Sequence, residues 1–342
     1  MSARQHANFT LKKRRLALWL LMFMAVVSLS FGAAVECRAG DGNLYVVSIW
    51  TDQVLRYNGS TGAFMDAFIT YSNASIPNIL TFGPDGNVYV SSLTNERISQ
   101  FDGTTGAFIK GFIDIMAPGV QMAYYQVFGP DGNLYVTDTN NGDVIFRYNG
   151  TTGALIDTFV TAGSGGLSDA RFLTFGPDGN LYVNDWNGSK VLQFNGSTGS
   201  FMSTFVTAAS GGLNSPGEMV FKGGYLYVAS GGNGRVLRYN GTTGAFVDTF
   251  VQAGSGGLTG PVGVVFGPDG RLYVSGDNRV RRYDGNTGAY IDTFVAAGSG
   301  GLSVCGNLAF SPSSAVPGGA SGGSPSSGGG GGGGGCFIDS LK

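Results

Sequence analysis

The chain has 342 residues, of which 60 are glycine and only 12% are charged, a composition typical of a turn-rich, all-β protein. Beyond Ala34 it contains 15 Lys and Arg against 22 Asp and Glu, which gives that part a net charge of −7. An acidic chain without a basic stripe argues against nucleic-acid binding, since phosphate neutralisation dominates that kind of affinity.

Residues 1–34 have the pattern of a secretory signal. The basic run Lys12–Arg15 precedes an apolar stretch from Leu16 to Phe31, and small residues follow as far as Ala34. The apolar stretch is shorter than the roughly 20 residues that a membrane-spanning helix needs. We therefore expect cleavage after Ala34 or Ala39, a secreted or extracytoplasmic location, and no transmembrane span in the mature chain. An uncleaved anchor is the alternative.

One nine-residue phrase, FGPDGNLYV at residues 128–136, organises the chain from residue 35 to residue 312. Its Pro-Asp-Gly turn suits a hairpin, because proline presets φ at the first corner and glycine accepts a positive φ. Six whole or altered copies occur, centred on Tyr45, Tyr89, Tyr135, Tyr182, Tyr227 and Tyr273. Self-similarity at steps of 44 to 47 residues is typical of β-propeller blades.

Each repeat has the pattern of four short strands, A to D, joined by Gly and Asn turns. In the third repeat, A ends at Phe128 and the other three strands are predicted at 134–137, 144–148 and 154–160. The first repeat lacks strand A, but LAFSP at 308–312 matches LTFGP at 173–177. We therefore predict an all-β, six-bladed β-propeller of four-stranded antiparallel blades. A C-terminal strand completes the first blade and closes the ring, which removes open sheet edges there.

Strand C carries an arginine directly before a tyrosine in four repeats, and an aspartate follows ten residues later on strand D. Where the arginine is replaced by Gln100 or Gln193, the aspartate is replaced by Lys110 or Ser203. Opposite charges at cross-strand positions contribute about 0.2–1 kcal/mol. We predict four structural pairs: Arg56–Asp66, Arg147–Asp157, Arg238–Asp248 and Arg282–Asp292.

A glycine-rich loop precedes strand A in four repeats, at residues 162–167, 209–213, 253–258 and 297–302. A phosphate-binding loop needs a following helix and usually a lysine, and the sequence offers neither. We predict that these loops are tight connectors.

The C-terminal region changes composition abruptly. Residues 313–335 form a Gly/Ser/Pro-rich segment typical of a flexible linker, and 336–342 form a short tail that begins at Cys336. Polyglycine followed by Cys-Phe-Ile resembles the C-terminal tails of some exported bacterial proteins that are sorted to the cell surface. Cys37 and Cys305 flank the predicted ring seam and are candidates for a disulfide, although their repeat positions place them apart along the strand.

Residues that could support catalysis or hold a metal are few. The only histidine is His6, inside the predicted signal, so the mature chain has no imidazole for a general base or a zinc site. After strand B, the adjacent third and fourth repeats carry Asp138 and Asp185, where the other repeats have Ser or Gly. With Glu218 they are candidate calcium ligands. The alternative is that each aspartate caps its own turn.

Aromatic and amide side chains in the predicted loops are candidates for binding a ligand, because aromatic rings give a large rigid contact area at small entropic cost. These candidates are Trp50, Tyr124, Tyr125, Asn140 and Trp186. Packing against neighbouring loops is the alternative.

Blades of the form Gly-Asn-Leu-Tyr-Val-x-Asp followed by Val-x-x-Arg-Tyr resemble NHL-type six-bladed propellers across residues 42–312. They are also similar to the gluconolactonase/senescence-marker and streptogramin-lyase groups. The lyase resemblance implies a catalytic histidine, which has no counterpart here. The lactonase resemblance implies a calcium-binding glutamate in a Glu-Gly-Pro pattern, and Glu218 in SPGE is the nearest residue.

The sequence leads to three functional hypotheses. The first is a secreted, monomeric, non-catalytic propeller without a cofactor, whose loop face binds a glycan, peptide or cell-surface partner. The second is a calcium-dependent, gluconolactonase-like hydrolase that uses Asp138, Asp185 and Glu218. The third is a structural protein of the cell surface.

Overall fold

The structure is a computed structural model that describes residues 42–71, 76–94, 97–114, 123–140 and 142–312. Twenty-four short β-strands form most of its regular secondary structure. Every described residue belongs to the unit Arg38–Lys342. The predicted signal at 1–34, Cys37, the linker at 313–335 and the tail at 336–342 lie outside the described residues. Within the described ranges, no helix is both long and apolar enough to cross a membrane.

The strand bounds follow the repeat. The strands are β1 (Leu44–Ser48), β2 (Gln53–Tyr57), β3 (Phe64–Thr70), β4 (Pro77–Phe82), β5 (Val88–Ser92), β6 (Arg97–Phe101), β7 (Phe108–Asp114), β8 (Ala123–Phe128), β9 (Leu134–Asp138), β10 (Val144–Tyr148), β11 (Leu155–Val160), β12 (Ala170–Phe175), β13 (Leu181–Asp185), β14 (Lys190–Phe194), β15 (Phe201–Val206), β16 (Pro216–Lys222), β17 (Tyr225–Ser230), β18 (Arg235–Asn240), β19 (Phe246–Val251), β20 (Val264–Phe266), β21 (Leu272–Gly276), β22 (Arg279–Tyr283), β23 (Tyr290–Val295) and β24 (Cys305–Phe310). Six one-turn 3₁₀ segments lie in the loops, at Ile49–Thr51, Ser164–Gly166, Ser210–Gly212, Gly231–Asn233, Ser255–Gly257 and Ser299–Gly301.

These strands form six four-stranded antiparallel sheets arranged as the blades of a ring, so the predicted six-bladed β-propeller is confirmed. The innermost strand of each blade contacts the innermost strand of the next, around a central channel. Blade 1 has the order β24-β1-β2-β3, and Leu44 pairs with Phe310 while Ser48 pairs with Cys305. The C-terminal strand therefore closes the ring as expected. Cys305 is a buried free thiol on that strand.

A tyrosine between two phenylalanines fills the seam between each pair of neighbouring blades. The tyrosine is the second residue of the Leu/Val-Tyr-Val motif. One phenylalanine comes from the outermost strand of its own blade, and the other lies at or next to the end of the innermost strand of the next blade. The ring centroids are 4.8 to 5.2 Å apart, in edge-to-face geometry. The six triplets are Phe68–Tyr45–Phe82, Phe112–Tyr89–Phe128, Phe159–Tyr135–Phe175, Phe205–Tyr182–Phe221, Phe250–Tyr227–Phe266 and Phe294–Tyr273–Phe310.

The four Arg–Asp pairs that the repeats suggested are bidentate ion pairs. In each pair Nη2 of the arginine lies 2.5 Å from Oδ2 of the aspartate, and Nε lies 3.1 or 3.2 Å from Oδ1. Each guanidinium also lies over the phenylalanine of its own strand D. Because the aspartates are more than 40% exposed, each ion pair contributes at most about 1 kcal/mol.

The glycine-rich loops lock one blade onto the next, which goes beyond the connector role that the sequence suggested. The third glycine-loop, Gly254–Gly257, receives the ring of Tyr290 from the following blade, and Tyr283 donates a hydrogen bond of 2.9 Å to the carbonyl of Ser255. A Cβ on Gly256 would lie 2.2 Å from the Tyr290 ring, and its φ of +60° also favours glycine. The same lock joins blade 6 to blade 1, through Gly300, Phe64 and the Tyr57 hydroxyl.

The paired substitutions Gly256→Ala and Gly254→Ala separate ring packing from backbone strain. Both glycines have positive φ, but no heavy atom lies within 4 Å of a Cβ placed on Gly254. We expect Gly254→Ala to lower the free energy of unfolding by about 1–2 kcal/mol, the cost of a left-handed alanine. Gly256→Ala should cost clearly more, because the Tyr290 ring must move. Urea unfolding of the two variants measures the difference, and equal losses would contradict the lock.

Candidate functional site

The loops that follow strand B and precede strand A meet on one face of the ring, around the channel mouth. The strand register brings the two kinds of loop together. The first residue of strand A pairs with the last residue of strand B, as Ala170 does with Asp185, so the loop before A lies beside the loop after B. A β-bulge follows this pair in five blades, so the inner strand bends where it enters the channel. We call this surface the loop face.

Asp138 and Asp185 are both buried at the ends of their B strands, where they bind backbone groups of the loops. Asp138 accepts a 3.0 Å hydrogen bond from the N–H of Asn140. Asp185 accepts bonds from the N–H and hydroxyl of Ser168 and from the N–H of Gly188. It also forms an ion pair of 3.3 Å with Lys190. Both aspartates thus hold loop backbone in place.

Glu218 lies on β16 of blade 5, inside the channel, and its carboxylate accepts hydrogen bonds from blades 3 and 6. The hydroxyl of Tyr125, on β8, donates a 2.6 Å hydrogen bond to Oε1, and the N–H of Val264 donates a 3.0 Å bond to Oε2. Burial raises the pKa of Glu218 from 4.5 to about 7, although both hydrogen bonds act in the opposite direction. Burial also raises the pKa of Tyr125 well above its ordinary value, with a further contribution from the Glu218 charge.

Tyr124 and Tyr125 are the second and third residues of β8, so neither lies in a loop and the expectation that they do is wrong. Tyr125 is only 8% exposed, because the inner strand turns this position into the channel. Its hydroxyl is committed to Glu218. It braces the channel and offers no surface to an external ligand.

The three carboxylates proposed for calcium do not form one ligand set. Calcium takes six to eight oxygen ligands, and both oxygens of Glu218 already accept bonds from protein donors. The side-chain oxygen of Asn307, a further amide in the channel, accepts a bond from the N–H of Leu80. In the part of the chain that the structure describes, no three His, Cys, Asp or Glu side chains form a group that could hold a metal ion. The residues present do not fit a calcium centre.

Two of the aromatic candidates, Tyr124 and Trp186, come together around Arg171. The guanidinium carbon of Arg171 lies 3.8 Å from the centroid of the Trp186 ring and 5.4 Å from that of Tyr124. Asp169 fixes the guanidinium, with Nε–Oδ1 and Nη2–Oδ2 distances of 2.9 and 3.2 Å. We call Tyr124, Asp169, Arg171 and Trp186 the mouth cluster, because they lie on the first strands and loops of blades 3 and 4 at the channel mouth.

The other two candidates lie elsewhere on the loop face. Trp50 follows β1 in blade 1 and is 75% exposed, while Asn140 follows β9 in blade 3 and is also exposed. No hydrogen bond, ion pair or ring contact among the described residues joins either side chain to the mouth cluster. Near Trp50, Val304 has a positive φ of 51° and its side chain is 38% exposed. The side chain of Val262 in blade 6 is also 38% exposed. Blades 1 and 6 thus present an apolar region on the side of the ring opposite the mouth cluster.

Sequence reasoning missed Arg171 and Asp169. The signal is present in the repeat, because the position that matches Arg171 is occupied by Asn78, Tyr124, Arg171, Gly217, Val262 and Gly306 in successive blades. Only one of these is charged. The bulge at this point of strand A hides which of two neighbouring residues faces the channel mouth.

Comparisons with known proteins agree with the architecture. A family model described as a repeat of unknown function (DUF6923) matches residues 160–279. No curated protein matches the sequence. A chain from the crystal structure of a nidogen/laminin complex is similar, with a TM-score of 0.61 and 17% identity over 79% of this chain and 99% of that one.

Two further structures are similar to this chain. One is a protein of unknown function from Bacteroides caccae, with a TM-score of 0.60 and 17% identity over 78% of this chain and 97% of that one. The other is a streptogramin B lyase, with a TM-score of 0.51 and 18% identity over 68% of this chain and 72% of that one. At these identities the likeness shows the six-bladed propeller fold alone.

Titration of Glu218 should make stability depend on pH. Its pKa in the fold, about 7, exceeds its ordinary value of 4.5. The buried neutral carboxyl therefore stabilises the fold fully below about pH 4.5, and this contribution is lost as the pH rises through 7. At about 1.4 kcal/mol per pKa unit, the loss is on the order of 3 kcal/mol.

The measurement is the melting temperature of the wild type and of Glu218→Gln between pH 5 and pH 8. Other carboxylates titrate in both proteins, so the difference between the two profiles isolates Glu218. We expect the wild type to lose more stability than Glu218→Gln across this range. Tyr125→Phe removes a bond that lowers the pKa of Glu218, and should shift the loss to higher pH. Parallel profiles for wild type and Glu218→Gln would contradict the assignment.

Proposed function

We propose that this propeller is a secreted, non-catalytic binding module of the NHL type, which recognises its partner with the loop face. The observation that carries the proposal is the mouth cluster, in which aromatic and charged side chains from two blades are assembled beside the channel. Rings that lie at the surface with fixed geometry give contact area without a large entropic cost on binding. Such rings are what a binding surface needs.

The remaining chemistry supports binding over catalysis. The one histidine of the chain is His6, within the predicted signal. Glu218, whose pKa lies near neutrality, is covered by hydrogen bonds from Tyr125 and Val264 inside the channel. A general acid or base must reach its substrate within hydrogen-bond distance, and this carboxyl is buried among groups that already use it.

The secreted location and the NHL assignment are supported by sequence features. The signal-like pattern of residues 1–34 supports export, and the Asn-Leu-Tyr-Val and Val-x-x-Arg-Tyr motifs support an NHL-type repeat. Among the neighbours, one is a chain of a nidogen/laminin complex, so the same fold also occurs in a protein assembly. This neighbour is consistent with a binding role for the present propeller.

The test is binding of the full chain to immobilised glycans and peptides, compared among three alanine variants. Trp186→Ala removes the main ring of the mouth cluster, and Trp50→Ala removes the exposed ring on the opposite side of the loop face. Phe108→Ala is the matched control, because Phe108 is an exposed aromatic residue on the outermost strand of blade 2. We expect Trp186→Ala to weaken binding at least tenfold, about 1.4 kcal/mol, while Phe108→Ala has no effect.

Two outcomes would overturn the proposal. In one, the wild-type chain binds nothing on either array. In the other, binding survives both Trp186→Ala and Trp50→Ala, which would place the binding surface outside the loop face.

A further inference from the structure

The mouth cluster is assembled by strand pairing at the entrance to blade 4. The N–H of Trp186 donates a 2.9 Å hydrogen bond to the carbonyl of Asp169, which places the residue after β13 beside the residue before β12. Arg171, two residues after Asp169, reaches back to the Asp169 carboxylate, and its guanidinium carbon lies over the Trp186 ring. The stack is therefore fixed by backbone geometry as well as by the side-chain contacts.

Blade 5 shows that the fold does not require this stack. The N–H of Gly231 donates an equivalent 3.1 Å bond to the carbonyl of Ser215, and Pro216 pairs with Ser230 as Ala170 pairs with Asp185. The three positions that blade 4 contributes to the cluster are thus occupied in blade 5 by Ser215, Gly217 and Gly231. The same backbone hydrogen bond and strand pairing form there without an aromatic ring or a charge. A blade can therefore form without the stack, so folding of blade 4 does not explain why the stack is present.

The cluster retains hydrogen-bonding capacity toward solvent. Asp169 uses Nε and Nη2 of Arg171, and a guanidinium has five N–H donors in total. The Tyr124 side chain also hydrogen-bonds to the guanidinium, and the Arg171 side chain is 27% exposed, so N–H groups remain that Asp169 does not use. Arg171 covers one face of the Trp186 ring, and that ring is partly exposed. A ligand can therefore meet a ring and a donor edge side by side.

The charges around the cluster select against an acidic ligand. The carboxylates of Asp169 and Asp185 both lie close enough to that of Asp143 to raise its pKa. Among the described residues, the ion pairs of these three carboxylates involve two cations, Arg171 with Asp169 and Lys190 with Asp185. An anionic ligand would be repelled by the excess negative charge of this region. A simple cation would be repelled by the guanidinium of Arg171.

With charged ligands disfavoured, the ligand class that fits best is a neutral ring that carries several hydroxyl groups. The C–H groups of a sugar ring carry partial positive charge and pack on the electron-rich face of an indole. Its hydroxyls donate to carboxylate oxygens and accept from guanidinium N–H groups. We propose that the mouth cluster is a subsite for a neutral hexopyranose unit of a polysaccharide, which stacks on Trp186 and accepts a hydrogen bond from the guanidinium of Arg171. This inference rests on the proposed binding function and names its ligand class.

The test is affinity electrophoresis of the full chain in gels that contain a soluble polysaccharide. Neutral galactan, mannan and β-glucan are the probes, and polygalacturonate is the acidic counterpart of galactan. We expect at least one neutral polymer to retard the wild type and polygalacturonate to have no effect. Trp186→Gly, which introduces the blade 5 residue, should reduce the retardation at least tenfold in polymer concentration, and Trp186→Phe should restore part of it.

Three controls make the result specific. The melting temperature of Trp186→Gly should lie within a few degrees of the wild type, because blade 5 folds with glycine at this position. Phe108→Ala should be retarded like the wild type. Arg171→Lys keeps the charge but loses the planar stack and the paired contact with Asp169, and should weaken retardation.

The failures of the two proposals can be told apart. Retardation by polygalacturonate alone, or retardation that survives Trp186→Gly, would overturn the sugar subsite. No retardation by any polymer, combined with Trp186-dependent binding on the peptide array, would overturn the sugar subsite and leave the binding function in place. Absence of binding in both assays would overturn both.

Discussion

The structure depends on one repeated constraint, the tyrosine of strand B held between two phenylalanines at every seam. One ring belongs to its own blade and the other to the next, so each triplet joins two blades, as Phe294–Tyr273–Phe310 joins blade 6 to blade 1. In four blades the hydroxyl of this tyrosine also donates to the aspartate of the Pro-Asp-Gly turn at 2.9 or 3.0 Å. Turn, seam and strand pairing are therefore specified by the same few residues, and their repetition specifies the ring.

The hydroxyl network explains why the residues of strands C and D change together. In blades 2 and 4 a glutamine replaces the arginine of strand C, and its amide donates a 2.8 Å bond to the same tyrosine hydroxyl. A neutral amide needs no carboxylate opposite it, and in blade 4 its oxygen accepts from the hydroxyl of Ser203. All these repeats thus place a hydrogen-bond donor from strand C beside the tyrosine hydroxyl. Where that donor is an arginine, strand D carries an aspartate, and where it is a glutamine, strand D does not.

These repeated parts could be predicted from the sequence, whereas the residues at the channel could not. The period, the six blades, the closing strand and the Arg–Asp positions follow from comparing repeats, because every copy obeys the same packing. Position 3 of strand A differs in every blade, and position 2 recurs only as Gly217 and Gly306, so one repeat does not predict the channel residues of another. The bulge near Ala170 adds a register change that alternation of side chains cannot reveal. Tyr125 was therefore expected in a loop and lies in the channel, and Arg171 was not considered.

The division between repeated seams and variable mouth has a physical consequence for specificity. The aromatic triplets stabilise all six seams and the glycine locks four of them, so the innermost strands need not all contribute in the same way. Tyr125 and Glu218 use this freedom to join blades 3 and 5 across the channel by one hydrogen bond. The loop face is chemically polarised, with rings and charges around Arg171 on one side and the apolar residues Trp50, Val262 and Val304 on the other. A rigid ring can hold two such different surfaces at a fixed separation, because neither has to contribute to holding the blades together.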